Sequence, residues 1–299
     1  MFTQFFGNYL LNKGLVEPLE LIKALEQQKT TRLKLGVLAI NAGFLTAEKV
    51  DEIHKTQQRM DKRFGDIAID LGYMTAAQVN ELLGAQKLGH LLLGQTLVDN
   101  KVMTNSDFAD ALSNYKSDNL ITDADFTDSQ NSKMGSIISS FYKFNHLNYS
   151  DYYTEYVLLL FKNIIRFIGD DFTPLNTKMI SQYKVSWAAT QNITGPFSTF
   201  TAIDGDESAF IGFASRYAEE KFKTNDEFVQ ASIGEFLNLH NGLFTVNMSN
   251  DRQMELEMLP QNVINNVTIK TDDQAFCVPI CFPFGTINFI LSTKNPIIE

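Results

Sequence analysis

Between Thr224 and Phe244 the hydrophobic residues recur at the spacing of an α-helix. At about 3.6 residues per turn they fall on one broad side, which we expect to face the core. The helix is predicted to begin at Thr224, because Glu227 completes a capping box with it. The residues expected on the core side are Val229, Ile233, Phe236, Leu237, His240, Leu243 and Phe244.

The opposite side of this helix forms a small-residue stripe of Ala231, Gly234, Glu235, Asn238 and Gly242. Glu235 and Asn238 are spaced i and i+3, so their Cβ atoms should lie roughly 5–6 Å apart. A glycine inside a helix costs about 1 kcal/mol relative to alanine, which close approach of another surface can offset. We therefore predict that a partner docks on this stripe. The alternative is that Ala231 and Gly234 pack beneath a neighbouring element of the chain, with Glu235 and Asn238 at its rim.

The first half of the chain contains a Phe-Gly or Leu-Gly pair every 29 residues, with its glycine at Gly7, Gly36, Gly65 and Gly94. Each pair is followed by a predicted helix end, at Gly14, Gly43, Gly72 and Lys101. A threonine begins the second helix of copies two to four, at Thr46, Thr75 and Thr104. Each copy is thus predicted to be a helix, a turn and a helix. One such hairpin cannot bury its own apolar side, so we expect the four copies to stack.

The second half mixes helical and strand-like patterns. Two hairpins are predicted, from 197–203 to 209–214 around Asp204-Gly205-Asp206, and from 275–282 to 286–292. The remaining elements are helices over 151–169 and 215–222, a strand over 178–189 and a half-buried strand over 254–258. This order predicts an α+β domain with an antiparallel sheet and helices against it.

These patterns divide the chain into three parts. An all-α domain of four helix-turn-helix repeats is predicted over 1–116, and an α+β domain over 151–299. Residues 117–150 between them are largely polar and are predicted to be a linker.

The net charge of −10 argues against a surface for nucleic acid or an anionic membrane. Cys277 and Cys281 would stand roughly 13 Å apart on a strand, too far for a disulfide. We interpret them as buried thiols in a reducing cytosol and expect a cytoplasmic protein. Asp204, Asp206 and Glu207 could hold Ca²⁺ or Mg²⁺. Turn chemistry explains them more simply, and no metal site is expected in this chain.

Residues 226–242 resemble the signature helix of the CheC/CheX/FliY chemotaxis phosphatases. That helix carries Glu-x-x-Asn, with a small residue before the Glu and a glycine four residues after the Asn. Glu235, Asn238, Gly234 and Gly242 stand at the matching positions. The resemblance extends from about Asp151 to the C-terminus, roughly half of the chain. It implies a CheX-like α+β fold.

The resemblance implies a hydrolase that removes the aspartyl phosphate from a CheY-like response regulator in chemotaxis or two-component signalling. The regulator would supply the phosphoaspartate, Mg²⁺ and a lysine, so no cofactor is expected on this chain itself. Asn238 would orient the attacking water, and Glu235 would pair with the regulator's lysine. In the CheC branch two helices carry the motif. Here Leu158 stands after Glu155 where an asparagine should be, so we expect one active face, as in the CheX branch, which commonly dimerises.

The repeats resemble the N-terminal domain of type II secretion and type IV pilus assembly ATPases, of the MshE type. Their motifs bind cyclic di-GMP in the versions where an Arg precedes the Leu-Gly pair. Here that position holds Phe5, Lys34, Arg63 and Leu92, so only Lys34 and Arg63 keep a cation. The resemblance implies either a cyclic di-GMP site between copies two and three or a helical adaptor without a nucleotide. The sequence holds no Gly-x-x-x-x-Gly-Lys-Ser/Thr loop, so the ATPase part is absent.

Two other functions stay open for the whole chain. The second half could keep the fold and only bind a response regulator, with the repeats as adaptor. Alternatively, the chain could be a cyclic di-GMP receptor with a phosphatase output. The intact pair of Glu235 and Asn238 favours a phosphatase over a binding module without catalysis.

Overall fold

Among the described residues, eight helices make up the first of two compact units in the computed structural model of this chain. The structure describes residues 2–60, 62–84, 88–122, 131–142, 144 and 149–299, with the backbone alone at 2, 131–133, 140 and 272–274. The units are Met1–Ser129 and Gln130–Glu299. The helices of the first unit are α1 Phe2–Asn12, α2 Pro18–Gln28, α3 Leu35–Asn41, α4 Ala47–Gln57, α5 Phe64–Asp70, α6 Ala76–Leu83, α7 Gly89–Asp99 and α8 Asn105–Asp118.

Threonine side chains cap α4, α6 and α8, as the sequence predicted. The hydroxyl of Thr75 accepts a hydrogen bond from the backbone N–H of Gln78 at 3.2 Å, and Thr104 accepts from Asp107 at 3.1 Å. The side chains of Gln78 and Asp107 accept in return from the backbone N–H of their threonine, which completes two capping boxes. Thr46 caps α4 in the same way, without the return bond.

The predicted ends of α1, α3, α5 and α7 all adopt the left-handed backbone conformation, with φ of 67°, 71°, 70° and 60° at Gly14, Gly43, Gly72 and Lys101. Glycine reaches this conformation without steric cost, whereas a lysine pays about 1 kcal/mol for it. The helix ends predicted from the spacing are therefore confirmed.

The repeated glycine lets two helices approach each other closely. A Cβ added to Gly94 in α7 would lie 2.1 Å from Cε2 of Phe108 in α8. A Cβ added to Gly36 would lie 2.8 Å from Cγ1 of Val50, and Gly65 meets α6 in a similar way. Any larger side chain at these three positions would overlap the facing helix, so Gly36, Gly65 and Gly94 of the 29-residue period mark a packing contact.

We expect Gly94→Ala to lower the free energy of unfolding of the first unit by about 2–3 kcal/mol, because the new methyl overlaps the fully buried ring of Phe108. Gly84→Ala is the matched control. Its Cβ would meet only backbone oxygens at 3.6 and 3.7 Å, so we expect no loss of stability. Urea unfolding followed by circular dichroism measures both variants. Equal losses would contradict the packing role of Gly94.

An antiparallel sheet forms the second unit's centre, and its strands are β1 Thr173–Pro174, β2 Lys178–Thr194, β3 Thr199–Gly205, β4 Glu257–Met258, β5 Asn262–Phe282, β6 Gly285–Ser292 and β7 Ile297–Ile298. The order is β1-β5-β6-β3-β2-β4, with β7 on β5 and a further pairing of β5 with β2. The pairings of β2, β3, β6 and β5 thus form a closed circuit. Gln191 of β2 pairs with Thr201 of β3. This mixture of helices and antiparallel sheet confirms the α+β prediction.

The helices of the second unit are α9 Asn131–Tyr142, α10 Ser150–Phe167, α11 Glu207–Tyr217 and α12 Glu227–Arg252. Helix α12 packs against α10, α11 and β2. Its Phe236 is fully buried, with ring centroids 4.9 Å from Phe213, 5.7 Å from Tyr217 and 6.4 Å from Phe289 of β6. The core between α12 and the sheet is therefore largely aromatic, and it holds one face of α12 in place.

The hairpin predicted from 197–203 to 209–214 is wrong, because residues 209–214 belong to α11. The carboxylate of Asp206 accepts from the backbone N–H of Ala209 at 2.7 Å and caps this helix. Asp204 is buried, accepts from the Tyr183 hydroxyl at 2.6 Å, and burial raises its pKa to about 6. Local capping and burial thus account for Asp206 and Asp204, while Glu207 lies exposed in the first turn of α11. No cluster of metal-ligating side chains occurs among the described residues.

Three further predicted elements need correction, and the first is the helix predicted over 215–222, of which only 215–217 is helical, as the end of α11. Helix α12 begins after Asp226 instead of Thr224, since the Asp226 carboxylate accepts from the backbone N–H groups of Phe228 and Val229 at 3.1 and 3.2 Å. Leu243, predicted on the core side, is 37% exposed. The strand predicted over 254–258 is reduced to Glu257–Met258.

The predicted linker over 117–150 lies partly outside the described residues, at 123–130, 143 and 145–148. Helix α9 falls within it and packs against α10, with Met134, Ile138 and Tyr142 buried. The ring of Tyr142 lies 6.2 Å from that of Phe161 in α10. This helix is thus part of the second unit's core.

Both cysteines are buried and free, as predicted. Burial raises the pKa of the Cys277 thiol to about 12 and that of Cys281 to about 11, so both stay protonated near neutral pH. No described helix has the length and apolar character needed to cross a membrane.

Candidate functional site

Helix α12 presents the predicted site residues on the side opposite the aromatic core. Ala231, Glu235 and Asn238 are exposed, and Gly242 is half-buried. The core side is buried as predicted at Val229, Ile233, Phe236, Leu237 and Phe244. Burial of that face against the sheet therefore fixes the direction in which Glu235 and Asn238 project.

Gly234, predicted to contact a partner, is instead buried by the chain itself. A Cβ at this position would stand 2.8 Å from Oε1 of Gln261, just before β5. The alternative considered for the stripe, packing beneath a neighbouring element, is correct for this residue. At Gly242 the nearest atom would be Cε of Met258 at 3.5 Å, an ordinary contact. The surface open to a partner is thus narrower than the stripe predicted from spacing.

The Asn238 side chain is held by a residue from the sheet. Its Oδ1 accepts a hydrogen bond from Nε2 of Gln191 at 2.8 Å, and this Nε2 also donates to the backbone carbonyl of Leu259 at 3.0 Å. Gln191 is only 3% exposed. The exposed carboxamide of Asn238 is therefore anchored by the buried carboxamide of Gln191.

A second buried amide, Asn241, fixes Gln191 in turn. Its Nδ2 donates to Oε1 of Gln191 at 2.8 Å and to Oγ1 of Thr201 at 2.9 Å, and its Oδ1 accepts from the Tyr156 hydroxyl at 2.7 Å. Burial raises the pKa of Tyr156 above its ordinary value, so the hydroxyl remains a neutral donor. We call Tyr156, Asn241, Thr201, Gln191 and Asn238 the amide relay.

Sequence reasoning missed every member of the amide relay except Asn238. A signal was present, because Gln191 and Asn241 are carboxamides within stretches of buried residues. Buried polar groups are almost always hydrogen-bonded to one another or to the backbone. The sequence alone does not say which groups meet.

Glu235 has no ion-pair partner among the residues that the structure describes. Its charge acts on Tyr217, whose pKa is raised first by burial and then by this carboxylate. The ring of Tyr217 packs on Phe236. Glu235 thus offers a negative charge at the surface that an approaching cation can neutralise.

Apolar side chains flank the two polar residues. Phe228 is 65% exposed and Val246 is 54% exposed. At about 100° per residue they lie on the same side of α12 as Glu235 and Asn238. We call Phe228, Ala231, Glu235, Asn238, Gly242 and Val246 the docking face. Exposed apolar residues around a few polar groups are typical of protein-binding surfaces.

Several solved structures that are similar to about half of this chain are those of chemotaxis proteins. The CheC-like superfamily protein from Shewanella sp. PV-4 is 18% identical, with a TM-score of 0.42 over 51% of this chain and 99% of that chain. CheX from Desulfovibrio desulfuricans is 15% identical, with a TM-score of 0.41 over 50% of this chain and 99% of that chain. A chain of the CheX–CheY–BeF3–Mg²⁺ complex from Borrelia burgdorferi is 15% identical, with a TM-score of 0.38 over 47% of this chain and 96% of that chain. No protein-family model and no curated protein matches the chain. With TM-scores below 0.5, these similarities do not decide the function.

His240 is fully buried, as predicted, with its Nδ1 3.0 Å from Nδ2 of Asn163. Burial lowers its pKa to about 3, so the imidazole is neutral at physiological pH. Its ring also lies edge-on to Tyr156, with the centroids 4.4 Å apart. These contacts make His240 part of the core between α10 and α12 and not a general base.

The two cations predicted for a nucleotide lie just before α3 and α5 of the first unit. Nζ of Lys34 lies 2.5 Å from Oδ1 of Asp99, and its backbone N–H donates to Gln95. Arg63 is exposed and has no ion-pair partner in the part of the chain that the structure describes. Of the two predicted cations, Lys34 is thus paired with Asp99, and the cyclic dinucleotide site stays a prediction.

Proposed function

We propose that the docking face hydrolyses the aspartyl phosphate of a CheY-like response regulator. The observation that carries this proposal is the exposed carboxamide of Asn238, anchored by Gln191 one helical turn from the exposed carboxylate of Glu235. The Glu-x-x-Asn pattern in which both residues stand supports it. A fixed carboxamide beside a free carboxylate suits a task of positioning.

The chemistry asks for positioning and charge neutralisation more than for covalent help. The oxygen of water forms a bond to phosphorus, and the bond between phosphorus and the aspartyl oxygen breaks. The regulator keeps a free carboxylate, and inorganic phosphate leaves with the proton that water loses. On this chain, Asn238 holds the attacking water in line and Glu235 pairs with the regulator's lysine. Mg²⁺ and the phosphoaspartate belong to the regulator.

A second candidate is an adaptor that binds the regulator without catalysis. The exposure of Phe228 and Val246 favours it, because apolar contacts bind a partner whether or not a reaction follows. In that case the helical first unit would bind a partner of its own. Cyclic di-GMP at Lys34 and Arg63 stays a prediction, and the pairing of Lys34 with Asp99 weighs against it.

The test is the loss of phosphate from a panel of phosphorylated response regulators, with and without this chain. We expect wild type to accelerate the loss on at least one regulator. Glu235→Lys should abolish the acceleration at low protein concentration, since it places a cation against the regulator's lysine. Asp251→Lys is the control, because Asp251 is exposed on the same helix but points about 160° away from Glu235 around the helix axis.

The outcomes of this test distinguish the two candidates or overturn both. Binding without acceleration on every regulator would favour the adaptor. Neither binding nor acceleration would overturn both proposals for the docking face. Loss of activity in Asp251→Lys as well would show that net charge, and not the position of Glu235, controls the effect.

A further inference from the structure

The amide relay has a defined hydrogen-bonding polarity. A backbone carbonyl can only accept, so the Leu259 carbonyl requires the amino group of Gln191 on its side. The carbonyl end of Gln191 must then face Asn241, which presents its Nδ2. Rotating the Gln191 amide by 180° would set oxygen against oxygen at Leu259 and nitrogen against nitrogen at Asn241.

The remaining bonds agree with this direction. The hydroxyl proton of Thr201 goes to the backbone carbonyl of Gln191 at 2.8 Å, so Thr201 can only accept from Asn241. Tyr156 donates to the oxygen of Asn241. Both amide protons of Gln191 and both of Asn241 are used within the relay. A fully satisfied buried network of this kind has one low-energy arrangement.

The polarity passes outward to the docking face. Gln191 can offer only an N–H to Asn238, so Asn238 must turn its Oδ1 inward. Among the described residues, the Asn238 side chain has no other hydrogen bond, and its amino group is left for a partner. Phosphoryl oxygens and the oxygen of water both accept hydrogen bonds, so a donor at this position can bind either of them.

We propose that Gln191 is a positioning residue for Asn238: anchored by Leu259 and Asn241, it fixes the Asn238 carboxamide with its amino group toward the phosphoryl group and the attacking water. The inference rests on the proposed function for its effect on turnover. The orientation of Asn238 in the free protein does not depend on that function.

The anchors are themselves rigid. The backbone N–H of Leu259 donates to the carbonyl of Asn192 on β2 at 2.9 Å, so the Leu259 carbonyl is tied to the strand that carries Gln191. Asn241 is fully buried on α12, three residues after Asn238. The relay therefore joins α12 to the sheet directly behind Asn238. A functional side chain is positioned best when a second layer of residues holds it in this way.

The first test uses Gln191→Met, which keeps the length and removes both donors. We expect turnover on the responsive regulator to fall about 10- to 100-fold, with KM changed less than about twofold, since the docking face is untouched. In an Asn238→Ala background the same substitution should cause no further loss. An equal loss in that background, or unchanged turnover in the single variant, would overturn the proposal.

Thr190→Val is the matched control on the same strand. Thr190 is 4% exposed and donates to the carbonyl of Asn262 at 3.2 Å, so this variant loses a part-buried hydrogen bond of a buried side chain, but away from Asn238. We expect its turnover to match wild type. A loss as large as that of Gln191→Met would assign the effect to general stability.

The second test needs no regulator. NMR of the side-chain amide of Asn238 in the free chain should show a rigid NH2 group in wild type and a mobile one in Gln191→Met. Should Gln191→Met fail to fold, Gln191→Asn replaces it, because the shorter amide cannot reach both Asn238 and Asn241. An equally rigid Asn238 in the variant would overturn the proposal. Altered Asn238 dynamics without activity on any regulator would keep the relay and reject the phosphatase.

Discussion

Replacing Asn238 with alanine is expected to remove at least 100-fold of the acceleration of phosphate loss while leaving the affinity for the regulator within about twofold. Loss of one preorganised polar group at a reacting centre typically costs about 10²–10³-fold. Binding should survive, because Glu235 and the apolar ends of the docking face at Phe228 and Val246 remain. Single-turnover dephosphorylation measures the first effect, and titration of the unphosphorylated regulator measures the second.

The fold should tolerate this change. Asn238 is exposed, its side chain bonds only to Gln191 among the described residues, and alanine favours a helix more than asparagine. Asn238→Asp provides a stricter control, since its carboxylate still accepts from Gln191 but cannot donate. We expect Asn238→Asp to be as slow as Asn238→Ala. Turnover near the wild-type rate in either variant would refute the assigned role.

Arg216→Ala is expected to destabilise the second unit by about 3–5 kcal/mol. Its guanidinium makes two parallel bonds to the carboxylate of Asp171, at 2.6 and 2.9 Å, and lies 4.8 Å from the ring centroid of Phe284. Asp171 is only 3% exposed, so truncation of the arginine removes two charge-assisted hydrogen bonds from a buried carboxylate. Trp187 is the single tryptophan and lies in the second unit, so its fluorescence follows this unfolding in urea.

Arg252 provides the matched comparison. It also forms an ion pair, with Glu155, but both side chains are about 40% exposed, 43% for Arg252 and 39% for Glu155. Water screens such a pair, and we expect Arg252→Ala to cost less than about 1 kcal/mol. A combined Arg216→Ala and Asp171→Ala variant should be less destabilised than the sum of the two single variants, because it removes the buried charge. Equal costs for Arg216→Ala and Arg252→Ala would contradict the burial argument.

Much of the secondary structure follows from local rules. The threonine caps at Thr75 and Thr104 and the left-handed turn at Gly43 involve only residues close in sequence, and all three were predictable. The same holds for the core side of α12, whose 3.6-residue period depends on one buried surface. Local pattern also identified Glu235 and Asn238 as an exposed pair.

Local rules failed where two structures compete for the same residues. The turn at Asp204-Gly205-Asp206 suits a hairpin, yet the carboxylate of Asp206 caps α11 instead. Gly234 was predicted to let a partner approach the helix, but Gln261 of the same chain occupies that space. In both cases the choice depends on a contact that short-range periodicity does not contain.

The periodicity and capping residues were enough to predict most of the buried face of α12, the ends of α1, α3, α5 and α7, and an exposed carboxylate and carboxamide on one helical turn. How that carboxamide is held depends on contacts between distant parts of the chain. Gln191 lies 47 residues before Asn238, and Tyr156 lies 85 residues before Asn241. Groups so distant along the chain meet only when the sheet and helices pack. Their hydrogen-bond polarity then follows from the backbone carbonyl of Leu259. Every residue has such a carbonyl, so the sequence pattern cannot show which one sets the polarity.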